Sequence, residues 1–183
     1  MGCCCGNQFK KKEFNILIVG LDNAGKTSIV QRITENPAAL QPTLSTIGSQ
    51  VKEYKFQKTK FSLWDVGGQE ELRNTWKHYY VGTNGIIFVI DSADDTRFAE
   101  AKKEFEKVVS NSFVSNLPCL FLCNKCDLPG ACSPAALKEK FDLQEYEKKN
   151  EELFRIEGCS AVTGEGLKDG LAWLSEKMPK KEN

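Results

Sequence analysis

The stretch Asn15-Ile16-Leu17-Ile18-Val19-Gly20-Leu21-Asp22-Asn23-Ala24-Gly25-Lys26-Thr27 decides how the rest of the chain reads. An unbroken apolar run of this kind suits a parallel strand covered on both faces. It ends on Gly20, and residues 20–27 then form a complete G-x-x-x-x-G-K-T ahead of a helical stretch, Lys26 to Glu35. Glycines at both ends let the backbone curl until successive N–H groups point inward at phosphate oxygens. The helix that follows adds the positive end of its dipole. Lys26 is placed to reach β- and γ-phosphates and the Thr27 hydroxyl to ligate Mg²⁺. Asp22, Asn23, Ala24, Gly25 and Ser28 complete the candidate phosphate cradle. The loop alone leaves ATPases, kinases and GTPases open.

Outward from this unit the chain alternates strand-like and helix-like segments. Residues 86–91 (IIFVID) and 118–124 (PCLFLCN) are further apolar runs, and 153–159 is a weaker one. Residues 51–56 and 60–66 alternate around Gln57-Lys58-Thr59 and read as a β-hairpin. Helices are expected at 96–110, where Phe98, Ala101, Phe105 and Val108 share a face; at 134–141, with Ser133 as N-cap and Pro134 at the first position; and at 166–178. These aromatic and leucine stripes read as core. Strand–helix alternation predicts one α/β domain with a mostly parallel sheet.

Composition bounds the function. The chain has 183 residues, 25 basic against 25 acidic, and a single histidine, His78. Zero net charge excludes a broadly cationic nucleic-acid binder. No apolar stretch approaches the roughly 20 residues of a membrane span. Eight cysteines are many for a domain of this size. No apolar signal segment precedes them, so free thiols in a reducing compartment are the expectation. Cys123-x-x-Cys126 has no second pair at zinc spacing. Cys3, Cys4 and Cys5 follow Gly2 and precede Lys10-Lys11-Lys12, which reads as an acylated, polybasic membrane-attachment arm. Gly6 stands where the myristoylation pattern has Ser or Thr.

Asn124-Lys125-Cys126-Asp127 follows the third apolar run, at the strand end where open α/β sheets bind ligands. The Asp127 carboxylate accepts only, so it can take the N1–H and N2–H₂ of guanine side by side, a donor pair adenine lacks. Leaving it unpaired against the wrong base is costly. Lys125 can lie over the base and Asn124 can tie this loop to the phosphate loop. Ser160 and Ala161 can present backbone N–H to the guanine oxygen.

Trp64-Asp65-Val66-Gly67-Gly68-Gln69 completes the set. Asp65 is placed to hold Mg²⁺, the Gly68 N–H to approach a γ-phosphate, and Gln69 to orient an attacking water. In order and spacing, G-L-D-N-A-G-K-T, W-D-V-G-G-Q, N-K-C-D and S-A-V-T-G-E-G-L resemble the Arf/Arl (ADP-ribosylation-factor-like) family of small GTPases, over residues 13–178. The resemblance implies a P-loop NTPase domain of three α/β/α layers, with a mostly parallel six-stranded sheet carrying one antiparallel hairpin strand. It also implies a slow, Mg²⁺-dependent GTP/GDP switch with an exchange factor, a GTPase-activating protein and GTP-state effectors as partners. Membrane or vesicle trafficking is the implied role of such a switch, and a monomer with no nucleic-acid partner the implied state. A switch-I threonine is the second implied hydroxyl ligand. Thr43 and Thr46 both offer themselves, and Thr46 keeps the Thr-x-Gly and its spacing to Asp65.

Three departures stand out. Ser49 replaces an aromatic that in relatives joins the equivalents of Trp64 and Tyr79 in an effector-facing patch. The N-terminal arm has only Phe9 and Phe14 as apolar residues, too few for an amphipathic helix, so acyl chains are expected to supply the membrane affinity. No arginine in the loops presents itself as a finger in cis. The expected organisation is an anchor arm at 1–13, a GTPase domain at 14–179 and a polar tail at 180–183, in the cytoplasm against an internal or plasma membrane. A GTP-bound lipid-anchored adaptor with negligible hydrolysis and a P-loop kinase or ATPase are the rival readings; Asp127 disfavours the second.

Overall fold

The computed structural model describes residues 12–35, 46–56 and 59–178. Its strands are β1 (Lys12–Val19), β2 (Ser49–Phe56), β3 (Thr59–Val66), β4 (Gly85–Asp91), β5 (Cys119–Asn124) and β6 (Phe154–Gly158). They form one six-stranded sheet in the order β2-β3-β1-β4-β5-β6. Every neighbouring pair is parallel except β2–β3, which runs antiparallel with Ser49 opposite Val66 and Phe56 opposite Thr59. The helices are α1 (Lys26–Thr34), α2 (Glu70–Arg73), α3 (Phe98–Val109), α4 (Pro134–Lys140), α5 (Leu143–Lys149) and α6 (Leu167–Lys177), with short 3₁₀ turns at Trp76–Tyr79 and Asp95–Arg97.

Strand side chains alternate between faces, so a central strand covered on both sides must be apolar throughout. On β4, Ile86, Phe88 and Ile90 enter one core while Ile87 and Val89 enter the other. On β5, Cys119, Phe121 and Cys123 face the first core, and Leu120 and Leu122 the second. The first core is closed by Phe98, Phe105 and Val108 of α3 together with Leu137, Phe141 and Leu143; the second is closed by Ile29 and Val30 of α1 and Leu167, Leu171 and Leu174 of α6. The three layers expected from the sequence are therefore present. Cys119, Cys123 and Cys159 are free and buried. Burial pushes the Cys119 thiol up to about 12 and raises the Cys123 and Cys159 thiols as well. These are inert core thiols, and the C-x-x-C spacing is incidental to strand packing.

Several boundaries differ from the sequence reading. β1 begins at Lys12 rather than Asn15, because Glu13 and Phe14 pair with Lys60 and Phe61 of β3. β2 begins at Ser49, and β3 begins at Thr59, a residue expected in the turn. Helix α5 has no counterpart in the sequence analysis. Asp142 enters it with a left-handed φ of 52° and makes no capping bond, and only Leu143 and Tyr146 on it pack inward. Tyr146 sits edge-on to Phe154 at 5.0 Å between ring centres. This helix is held by tertiary packing, which local propensity does not register.

Candidate functional site

The chain goes from β1 to β3 on one side of the sheet and then to β4 on the other side of β1, so a crevice opens beyond the C-terminal ends of these strands. There the phosphate loop curls through two left-handed residues, Asn23 (φ 62°) and Gly25 (φ 90°). Gly25 is required twice over. Its φ is unfavourable for other residues, and a Cβ on it would lie 2.3 Å from Asn124 Nδ2. The loop borders a cavity of about 300 Å³, which Asp22, Asn23, Gly25, Lys26, Thr27 and Ser28 line together with Thr46, Gly68, Gln69 and Lys125 from distant segments. Lys26 is buried and its Nζ donates to the carbonyls of Gly20 (2.9 Å) and Leu21 (2.8 Å). Burial pulls its ammonium down to about 8, against the attraction of Asp65 and Asp22. A buried ammonium beside a cavity lined by a phosphate-type loop is suited to an anion.

Below the cavity, Thr27 Oγ1 donates to Asp65 Oδ2 at 2.6 Å and lies 2.9 Å from Thr46 Oγ1. Thr46 thus joins Thr27 and Asp65, whereas Thr43 lies outside the described residues. The Asp65 carboxyl is only 1% exposed, and its Oδ1 has no hydrogen-bond partner. Burial raises its proton affinity, although bonds from Thr27 and Thr46 and the charge of Lys26 oppose this. An orphaned buried carboxylate oxygen is costly, and one carboxylate with two hydroxyls is a hard, all-oxygen donor set. These residues would suit a hard divalent cation such as Mg²⁺. Among the described residues no three His, Cys, Asp or Glu side chains converge as metal ligands.

At the other end, buried Asn124 ties three loops together. Its Nδ2 donates to the Ala24 carbonyl at 2.8 Å, and its Oδ1 accepts the Ala161 N–H at 3.0 Å. The expected link between the N-K-x-D segment and the phosphate loop is present. The Ala161 N–H, expected to face a base, is engaged by Asn124 in this arrangement. The Ser160 hydroxyl accepts the N–H groups of Val162 and Thr163, shaping its turn. Lys125 takes a left-handed φ of 66° and donates to Asp91 Oδ2 at 2.6 Å, which lays its stem along the cavity wall. Asp127, two residues beyond Lys125, is exposed to solvent.

Gly68 and Gln69 close the remaining side. A Cβ on Gly68 would lie 2.4 Å from Asp22 N and from Lys26 Nζ, so only glycine permits this approach. Trp76 is buried and donates its indole N–H to the Gly67 carbonyl at 2.8 Å, a structural role. Trp64 is half-buried with its ring 5.9 Å from that of Tyr79, and Ser49 beyond it is exposed.

Arg73, Arg97 and Glu100 belong to no motif in the sequence, yet the fold brings them to the phosphate loop. Arg97 donates to Asp22 Oδ1 at 2.7 Å, and this contact holds the Asp22 carboxyl below its ordinary range. Arg73 donates to the Gly68 carbonyl at 2.8 Å and pairs with Glu100 at 2.7 Å. Neither arginine is poised as a finger, because carboxylates occupy both. The i,i+3 spacing of Arg97 and Glu100 was the one local signal; their meeting with Asp22 is purely tertiary. Gly2, Cys3, Cys4 and Cys5, proposed for lipidation, lie outside the described residues.

Comparison with known proteins agrees with this geometry. The ADP-ribosylation factor family model matches residues 3–178. ADP-ribosylation factor-like protein 5 of Caenorhabditis elegans is 40% identical over 168 residues, covering 91% of this chain and 92% of its own. The structure of the Arl6 (BBS3) small GTPase of Trypanosoma brucei, with the nucleotide analogue GppNp bound, superposes with a TM-score of 0.82 at 29% identity, covering 90% of this chain and 96% of that one. The chain belongs to the ADP-ribosylation factor family of small GTPases.

Proposed function

We propose that the chain is a Mg²⁺-dependent GTP/GDP switch that hydrolyses GTP slowly on its own. In the GTP state its N-terminal acyl arm attaches it to a cytoplasmic membrane face, where it recruits effectors of vesicle or membrane-protein trafficking. The observation that carries this reading is the convergence of Thr27, Thr46 and the orphaned Asp65 carboxylate beneath a cavity that Lys26, Gly68 and Gln69 line. Loops far apart in the chain meet where a terminal phosphate and its cation would bridge them, and loss of that phosphate would release them.

In this reading Lys26 and backbone N–H groups hold the phosphates, and Thr27, Thr46 and Asp65 hold Mg²⁺, which when bound neutralises charge on the transferred phosphoryl group. Gln69 orients the attacking water. Asp127 selects guanine, with Asn124 keeping its loop in register with the phosphate loop. Arg73 and Arg97 are committed to carboxylates, so an arginine from an activating protein would supply the missing stabilisation, about 10³- to 10⁵-fold. An exchange factor would open the nucleotide site, and the domain would act as a monomer.

Nucleotide competition tests the core of the reading: GTP and GDP displace a labelled guanine nucleotide, and ATP at similar concentration does not. Displacement by ATP would sink it. Gln69→Leu should slow single-turnover hydrolysis roughly 10- to 100-fold with little change in GTP affinity, and Thr27→Asn should weaken both GTP and Mg²⁺ binding. A Cys3/Cys4/Cys5 triple serine variant should leave the membrane fraction of cells; full retention there would refute the acyl anchor.

A further inference from the structure

Three distant segments meet in one charge cluster beside the phosphate loop. Arg73, ending α2, is 8% exposed. Its Nε donates to the Gly68 carbonyl at 2.8 Å, and its terminal nitrogens lie 2.7 Å from Glu100 and 3.4 Å from Asp22. Arg97, just before α3, donates to the Asp22 carboxylate at 2.7 Å, the Asp22 carbonyl at 3.2 Å and Glu100 at 2.9 Å. Two cations and two anions therefore balance. The Gly68 carbonyl accepts a second bond, from the Asp22 N–H at 3.1 Å.

Burying a guanidinium is unfavourable unless each face of its fork finds a partner, and every partner here belongs to a different segment. The donor that matters is Nε, because it acts on backbone. The Gly68 carbonyl and the Gln69 N–H belong to one rigid peptide plane, so fixing the carbonyl fixes the direction in which Gln69 leaves. Gly68 sits so close to Lys26 that a Cβ on it would lie 2.4 Å from Nζ, and Gly68, Gln69 and Lys26 line the cavity together.

We propose that Arg73 is a positioning residue that clamps the Gly68–Gln69 peptide onto the phosphate loop. Glu100 orients Arg73, and Arg97 immobilises Asp22, the other partner of the Gly68 carbonyl. The clamp favours the closed arrangement, in which the Gly68–Gln69 segment stays against the phosphate loop on the side a γ-phosphate would occupy, so it raises the preference for nucleoside triphosphate over diphosphate. This rests on the switch reading above and adds to it the device that holds one switch segment shut.

The test uses the full-length chain with Mg²⁺ and measures dissociation constants for GppNp and for GDP. Arg73→Ala should lower the GppNp-to-GDP preference about tenfold, the worth of one charge-assisted hydrogen bond, with GDP affinity unchanged. Glu100→Gln, a milder change, should lower it in the same direction, and the double variant should lose no more than Arg73→Ala alone. Arg73→Lys should not restore the preference, because an ammonium cannot reach the Gly68 carbonyl and Glu100 with the same fork. Equal losses for both nucleotides, an unchanged preference, or full rescue by lysine would each overturn the clamp while leaving the switch reading intact. A wild-type chain that binds neither nucleotide would overturn both.

Discussion

Asn124 illustrates how one side chain organises a site without touching the chemistry. It is 1% exposed, donates to Ala24 and accepts from Ala161, so it binds the phosphate loop to two base-side loops. Asn124→Ala would leave a buried carbonyl and a buried N–H without partners. The expected loss is about 2–4 kcal/mol of unfolding free energy, together with weaker binding of GTP and GDP alike. Urea unfolding of the nucleotide-free chain and titration with both nucleotides check this. The contrast with Gln69→Leu is diagnostic, since that variant should change hydrolysis and spare binding. Asn124 was legible in the sequence because N-K-C-D is a contiguous motif. Arg73 was not, because its partners Gly68, Asp22 and Glu100 come from three segments that no local pattern relates.

At the scale of elements, strand β5 shows what burial on both faces demands. Phe121 is fully buried and its ring packs at 5.5 Å from Phe88, 5.2 Å from Phe105 and 5.4 Å from Phe141. It thereby joins the sheet to α3 and to the end of α4. Phe121→Ala should cost about 3–5 kcal/mol through lost burial and the cavity left behind. Phe113, 65% exposed after α3, should tolerate alanine within about 0.5 kcal/mol. Thermal or urea unfolding of the pair decides the matter. The long apolar runs and the α3 and α6 stripes were readable because burial imposes a period of two or 3.6 on sequence. Helix α5 and the short α2 escaped because they are held by contacts made elsewhere, α5 by Phe105 and Phe154.

For the whole molecule, the thiols set the alkaline limit of stability. Cys119, Cys123 and Cys159 keep their protons in the fold, while the unfolded chain gives them up near 9. A raised folded-state value stabilises fully below 9 and is lost as pH rises beyond it. Lys26 runs the other way: burial depresses it from 10.5 to about 8, so its contribution grows between those values. Three thiols outweigh one amine. The unfolding free energy of the nucleotide-free, reduced chain should therefore fall above pH 9, on the order of 1–3 kcal/mol per pH unit, and chemical denaturation at pH 8, 9 and 10 measures it. Stability that kept rising through pH 10 would contradict the burial assigned to these thiols.

By itself the sequence determined the class of this protein: an α/β domain with a phosphate loop, W-D-V-G-G-Q and N-K-C-D in the order of the ADP-ribosylation factor family. These features are local, since a turn needs its glycines and a covered strand its unbroken apolar run wherever the chain goes. The tertiary structure showed that Thr46 meets Thr27 and Asp65, which N–H groups are already spoken for, and that Arg73, Arg97 and Glu100 surround Asp22. Those outcomes depend on how strand order brings loop ends together across the sheet. Charge pairing between segments dozens of residues apart leaves no periodic trace in the chain.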